Sequence, residues 1–413
     1  MNKRIVLLTL LLILPAEAAF AQQASELNLQ RVIDTYLQNN LELQAARFKL
    51  ERTRADQIAA RLRPNPSLTV TAENMPINGP TSFGDLYEIG ATYTETFELG
   101  GKLSLREKAS NATVSAAEAQ FEDTMRRGLA DLKRMYYEAL LARSTLDVAT
   151  ESRQTFDQLL QFNVTRFQEG AIPELDLIKV RLERVKFDSS VRQADLALRQ
   201  ATIRLVEKLG TLVSFSSQLS GELTFRPVNV DLNSVRQSAV NERTDVLAAM
   251  AELTAANERL ALERGRSKMD LSPFAGYKRV GNDNTLLFGV SIPLKVRDHN
   301  ETEINRAETD IKSAQVRLQL VRNHVLAEVE SAYAALQTSR ELVETFQSDL
   351  LRQADEARNI SLAAYEEGGS ELLPVLDAQK TRSEVRQQYF RTLFDYQASI
   401  VALELAAGRE LQP

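Results

Sequence analysis

The chain has no cysteine, no tryptophan and only two histidines, His299 and His324. Without cysteine there are no disulfides, thiolate metal sites, cysteine nucleophile or acylated cysteine anchor. Two histidines cannot build a histidine metal cage or a paired catalytic base. Both read as structural, His299 in a joint after a strand and His324 on a long helix. Glycine and proline are scarce too, 16 and 11 in 413 residues, so breaks are few and elements long. Aromatics are 6% and charged residues 26%, which suits a surface-rich helical protein better than a thick central core. The net charge of −6 argues against nucleic acid, which wants a basic face, and is compatible with cationic cargo. No nucleophile–base pair, phosphate loop or metal-ligand spacing occurs, so neither an enzyme nor a cofactor is expected.

What is present begins with an export signal. Lys3 and Arg4 precede the apolar run Ile5 to Leu14, and Ala19-Phe20-Ala21 gives the small-x-small pattern of a cleavage site. A signal peptide over residues 1–21 is the expectation. Its apolar run is far shorter than the roughly 20 residues that cross a bilayer. No later segment approaches that length.

The remainder is written twice. Phe167-Gln168-Glu169-Gly170 recurs as Tyr365-Glu366-Glu367-Gly368, and the same offset of 198 carries Gly210 onto Gly408. Tyr137-Glu138-Ala139-Leu140 recurs as Tyr333-Ala334-Ala335-Leu336. The expected division is a first unit over 22–210, a linker over 211–230, a second unit over 231–408 and a tail over 409–413. Such a unit is far longer than a solenoid repeat, so a whole half-domain was duplicated.

Each unit reads as helix, two strands, very long helix, tight turn, helix. From Leu103 to Gln168 there is one glycine, Gly128, and no proline; from Glu301 to Glu367 there is neither. Ile304, Ala307, Ile311, Ala314, Leu318, Val321 and Val325 alternate steps of three and four, the spacing of a coiled-coil seam. Strands are expected at Ser67–Ala72, Tyr87–Thr94, Leu271–Tyr277 and Leu286–Ile292. Tyr87, Ile89 and Tyr93 alternate with polar residues and form a candidate lipid-facing strand. Alternation alone fits two soluble hairpins packed on helices equally well. Four strands cannot close a barrel, and open edges are forbidden in lipid, so a membrane role needs several chains to pool their strands.

Export signal, duplicated helix–hairpin–helix units and Glu-Gly turns together resemble the TolC-like outer-membrane efflux protein family, over essentially the whole chain beyond residue 21. Glu98-Leu99-Gly100-Gly101-Lys102 and Arg63-Pro64-Asn65-Pro66-Ser67-Leu68 look like its heavy-metal (cobalt-zinc-cadmium or copper) branch. The fold implied is mainly α with a small β part. It is a trimeric α-helical tunnel topped by a twelve-stranded barrel to which each chain gives four strands. The resemblance also implies localisation to the cell outer membrane, a periplasmic membrane-fusion adaptor and an inner-membrane RND-type pump. Many relatives carry a lipidated N-terminal cysteine; here anchoring rests on the barrel alone.

By the family pattern the adaptor docks at the tip turns, Glu169, Gly170, Ala171 and Glu367, Gly368, Gly369. Asp176 and Tyr365 match a gate-closing contact, and Ser370 stands where relatives carry a gate arginine. Asp377 falls at an inward aspartate constriction, with Pro374 in place of the family's other aspartate, and Glu371 lies beside it. On residue chemistry alone, Glu174 and Asp176 behind Pro173 are ordinary first-turn acids at a helix start. The expected function is a passive exit duct for heavy-metal cations. A duct for drugs or secreted protein is the alternative within the family, and a soluble periplasmic coiled-coil adaptor the alternative outside it.

Overall fold

The computed structural model describes residues 27–80, 82–210 and 219–411. The expected signal peptide and the first part of the expected linker, 211–218, lie outside the described residues.

Helices α1 (Leu29–Asn39) and α2 (Leu41–Ala60) lead into strand β1 (Ser67–Glu73). A four-residue helix, α3 (Phe83–Leu86), then precedes β2 (Glu88–Thr94). The long helix α4 (Lys102–Gln168) and its return partner α5 (Glu174–Leu209) close the first unit. The second unit repeats the order with α6 (Leu232–Glu242), α7 (Thr244–Arg266), β3 (Ser272–Val280) and β4 (Asp283–Ser291). It ends with α8 (Glu301–Thr345), α9 (Leu351–Glu366) and α10 (Leu372–Ala407).

Helix α4 runs 67 residues unbroken, about 100 Å at 1.5 Å per residue. Its one glycine has a reason. The Tyr36 hydroxyl oxygen lies 1.9 Å from where a Cβ on Gly128 would sit, so α1 packs against α4 only at a residue without a side chain. The second rod differs from expectation, because a π-helical turn, Phe346–Leu350, separates α8 from α9. Between Tyr333 and Tyr365 the second unit has two residues more than the first has between Tyr137 and Phe167. A π turn holds more residues than an α turn and takes up part of that excess without rotating the packed face below it.

The helices form one layer rather than a thick bundle. Nearest the sheet, α2, α4, α7 and α8 lie side by side; towards the tips the order is α5, α4, α10, α9. All seven residues of the expected α8 seam are buried or half-buried. The larger core surrounds Tyr36, Leu132, Leu140, Leu205, Leu393 and Tyr396 at mid-length, and a smaller one surrounds Phe156, Val180 and Tyr365 near the tips. The duplication is visible in single bonds. At the α1–α2 elbow, buried Asn40 donates to the Lys208 carbonyl at 2.8 Å. At the α6–α7 elbow, buried Arg243 donates to the Ala406 carbonyl at 3.2 Å, the equivalent group 198 residues on.

Candidate functional site

The four strands make one antiparallel sheet in the order β1-β2-β3-β4, and among the described residues β1 and β4 each leave an edge unpaired. The register aligns Tyr93 with Leu68 and Ala275, and Tyr277 with Leu286. One face is therefore Leu68, Val70, Ile89, Tyr93, Tyr277, Leu286, Phe288 and Val290, every one exposed. The other face carries Thr69, Thr71, Thr92 and Thr94, with Lys278 paired to Glu88. An apolar surface this continuous on a water-facing sheet is a liability; against lipid it is what a barrel wall requires. Ile89 and Tyr93 sit on the apolar face. Tyr87 does not belong to the strand. It is the residue just past α3 and caps it, half-buried, its ring stacked on Phe83 at 5.4 Å with Arg279 above it at 5.9 Å.

At the far end, both tip turns are built alike. The amide of Gly170 donates to the Phe167 carbonyl and that of Ala171 to the Arg166 carbonyl; Gly368 and Gly369 repeat this with Tyr365 and Ala364. This six-to-one plus five-to-two pattern needs a left-handed residue just past the helix end. Gly170 and Gly368 supply it, with φ of 72° and 79°. Glu169, Gly170, Ala171, Glu367, Gly368 and Gly369 are all exposed. With Glu174, Glu366 and Glu371, also exposed, they make an acidic rim. Asp377 is exposed and makes no ion pair among the described residues.

The expected contact between Asp176 and Tyr365 is not formed within the chain. Asp176 pairs with Lys179 one turn along its own helix, at 3.2 Å. Tyr365, 4% exposed, instead donates its hydroxyl to Oδ1 of Asn163 on α4, which is fully buried. The Arg166 guanidinium lies 5.3 Å above the Tyr365 ring and 5.5 Å above Phe162, and donates to the Tyr365 carbonyl at 3.3 Å. Burial raises the Tyr365 phenol above its ordinary value, while the Arg166 charge and the Asn163 bond oppose the shift. Asn163 and Arg166 are thus tip residues that the sequence did not single out.

A model of the outer membrane efflux protein family matches residues 32–211 and again 234–409. The chain belongs to this family. It is 26% identical over 395 residues to the cobalt-zinc-cadmium resistance protein CzcC of Cupriavidus metallidurans, covering 94% of this chain and 91% of that one. It is 22% identical to the cation efflux system protein CusC of Escherichia coli K12, covering 91% and 85%. Among solved structures, the Campylobacter jejuni CmeC outer membrane channel superposes with a TM-score of 0.79 at 19% identity, covering 93% and 87%. A CusC structure gives 0.76 at 20%, covering 92% of each. The fold is that of the TolC-like outer-membrane channels, and the family consists of channels rather than enzymes.

In this efflux protein the string Glu98–Lys102 is a pinned joint between sheet and helices. Asp270, just before β3, accepts from the Leu99 amide at 3.1 Å and from buried Lys102 at 2.7 Å. Burial alone would raise the Asp270 carboxyl; the bonds from Lys102 and Leu99 outweigh it and hold the group below its ordinary value. Arg106 grips Glu98 in two-point fashion at 2.7 and 3.0 Å and donates to the carbonyls of Ala60 and Leu62. Strand and helix ends are thereby fixed in relative position.

Proposed function

We propose that three copies of this chain pool their strands into a twelve-stranded barrel, β1 of one copy pairing with β4 of the next. Each helical layer then supplies a third of a tunnel through the periplasm. The observation that carries this is the single exposed apolar face of a sheet whose two edges are unpaired, since such edges do not persist in lipid. In this reading the channel is a passive exit duct for heavy-metal cations. An inner-membrane RND-type pump drives it, through a periplasmic adaptor docked on the two exposed Gly turns. The resistance and cation-efflux names of CzcC and CusC support that cargo, as does the acidic rim of the tips.

An exposed, unpaired Asp377 becomes a ring of three acids in such a trimer, drawing cations to the tunnel mouth. Fractionation with a metal panel tests the proposal. A trimer that resists extraction from outer membranes, and whose deletion sensitises cells to particular divalent or monovalent metals, is the expected result. A salt-extractable monomer would overturn it in favour of a soluble adaptor. Sensitivity to organic solutes but not metals would transfer the duct to other cargo. In planar bilayers, Asp377→Asn should lower cation selectivity, and unchanged selectivity removes Asp377 from the pore.

A further inference from the structure

The internal repeat predicts which side chains meet where two copies of the chain join. Within the chain, the two tip hairpins meet along α4 and α10. Glu151 on α4 takes Arg382 at 2.8 Å and Arg386 at 2.5 Å. Next to it Ser152 and Ser383, 1% and 6% exposed, touch oxygen to oxygen at 3.2 Å. Arg382 also holds Asp355 on α9 at 2.5 Å.

The offset of 198 set by Gly170 and Gly368 carries Arg184 onto Arg382 and Asp157 onto Asp355. Arg184 indeed holds Asp157 in the same way, Nε to Oδ1 at 2.6 Å. The alignment therefore holds at the level of single hydrogen bonds. The same offset carries Glu151 and Ser152 onto Asp349 and Leu350, and Val185 onto Ser383. Asp349 and Leu350 lie in the π turn above α9, at one edge of the layer; Arg184 and Val185 lie on α5, at the other.

These four side chains look unfinished in a single chain. Leu350 and Val185 are large apolar residues left 38% and 62% exposed. Among the described residues Asp349 bonds only along its own helix, to Arg352 and Gln353. Among the described residues Arg184 pairs with Asp157 on α4 and with no second acid, whereas its equivalent Arg382 pairs with both Asp355 and Glu151.

We propose that Asp349 and Leu350 of one copy meet Arg184 and Val185 of the next, repeating between copies the pairing of Glu151 and Ser152 with Arg382 and Ser383. The occupant of both edges is a second copy of this chain, so the inference rests on the trimeric reading above. Opposite charge and two apolar residues at matched positions supply the complementarity. Asp188 stands where the second unit has Arg386, so the join between copies sets a second acid on the side of Asp349 where the join inside the chain has a second arginine; Arg153 at 3.9 Å and Arg192 at 3.3 Å already neutralise Asp188, leaving Arg184 as the partner of Asp349.

The chain has no cysteine, so engineered disulfides are free of background. Leu350→Cys and Val185→Cys are placed in separately tagged chains and co-expressed, and Asp349→Cys with Arg184→Cys provides a second pair. On non-reducing gels one pair of chains in each mixed trimer should shift to a dimer carrying both tags and return to monomer on reduction, the third chain staying monomeric. The quasi-equivalent Ser152→Cys/Ser383→Cys chain should give no dimer, because its contact lies inside one copy. A native trimer in which neither pair yields the two-tag dimer overturns this contact and leaves the channel reading standing. A chain that stays monomeric by native mass overturns both.

Discussion

Tyr365→Phe isolates one buried bond between the two tip hairpins. The ring keeps its packing against Phe162 and Arg166, while Asn163 Oδ1, fully buried, loses its donor. Leaving a buried acceptor unsatisfied costs about 1–3 kcal/mol. Asn163→Leu leaves the Tyr365 hydroxyl unsatisfied at a similar cost. Replacing both partners by apolar groups removes bond and desolvation penalty together, so the double variant should lose less than the sum of the singles and about as little as either. The bond joins α9 to α4, so its loss should also favour parting of the hairpins at the tunnel mouth. About 1.4 kcal/mol corresponds to a tenfold shift in such an equilibrium. The open fraction of Tyr365→Phe channels in planar bilayers should therefore rise by roughly that factor. Asp176→Asn should change neither thermal midpoint nor open fraction, because its partner is Lys179 on the same helix. Losses that simply add in the double variant would refute the shared bond, and a gating effect of Asp176→Asn would show that Asp176 also restrains the tips.

Three further predictions concern other parts of the chain. Ile89→Arg faces the apolar side and should cost up to about 2–4 kcal/mol near the bilayer midplane, seen as lost outer-membrane trimer, whereas Thr92→Arg on the opposite face should leave yield nearly normal. Gly128→Ala should lower the melting temperature even though Ala favours helix by about 1 kcal/mol, because the Tyr36 hydroxyl occupies the site; adding Tyr36→Phe should recover part of the loss. Burial would raise the Glu151 carboxyl, but the bonds and charges of Arg382 and Arg386 hold it below its ordinary value of 4.5. Between the folded value and 4.5 the unfolded chain binds more protons, so stability rises with pH there. The contribution is complete above about pH 4.5 and is lost as pH falls through the folded value. Glu151→Gln should flatten the pH dependence of the melting temperature in that acidic window, and an unchanged slope would contradict it.

Much of this architecture was legible because it is local. The rod from Lys102 to Gln168 follows from a lack of breakers, the strands from alternation, and the tip turns from glycine after Glu169 and Glu367. Each of these is decided by neighbours within a few residues. The family signature added the assembly into which such units fit, which no periodicity contains.

What was missed depends on which helix lies beside which. Asn163 reads as an ordinary polar residue until α9 brings Tyr365 against it, 202 positions away. The placement of Tyr87 turns on the short helix α3, and the break between α8 and α9 on a π turn with no breaker residue to announce it. One signal did exist for the non-local part. Two copies of a half-domain that fold alike must place equivalent residues in equivalent surroundings, so an acid and an arginine kept at the same offset mark a bond in the sequence itself. Asp157 with Arg184 and Asp355 with Arg382 meet that test. Where the copies differ, the difference has a cause in position. Buried Ser383 faces a helix of its own chain, and its counterpart Val185 lies at an edge that the isolated chain leaves open. A lone exposed apolar residue is ordinary on a protein surface; what supports the proposed cover is that Val185 at one edge and Leu350 at the other stand where the repeat has the touching pair Ser383 and Ser152.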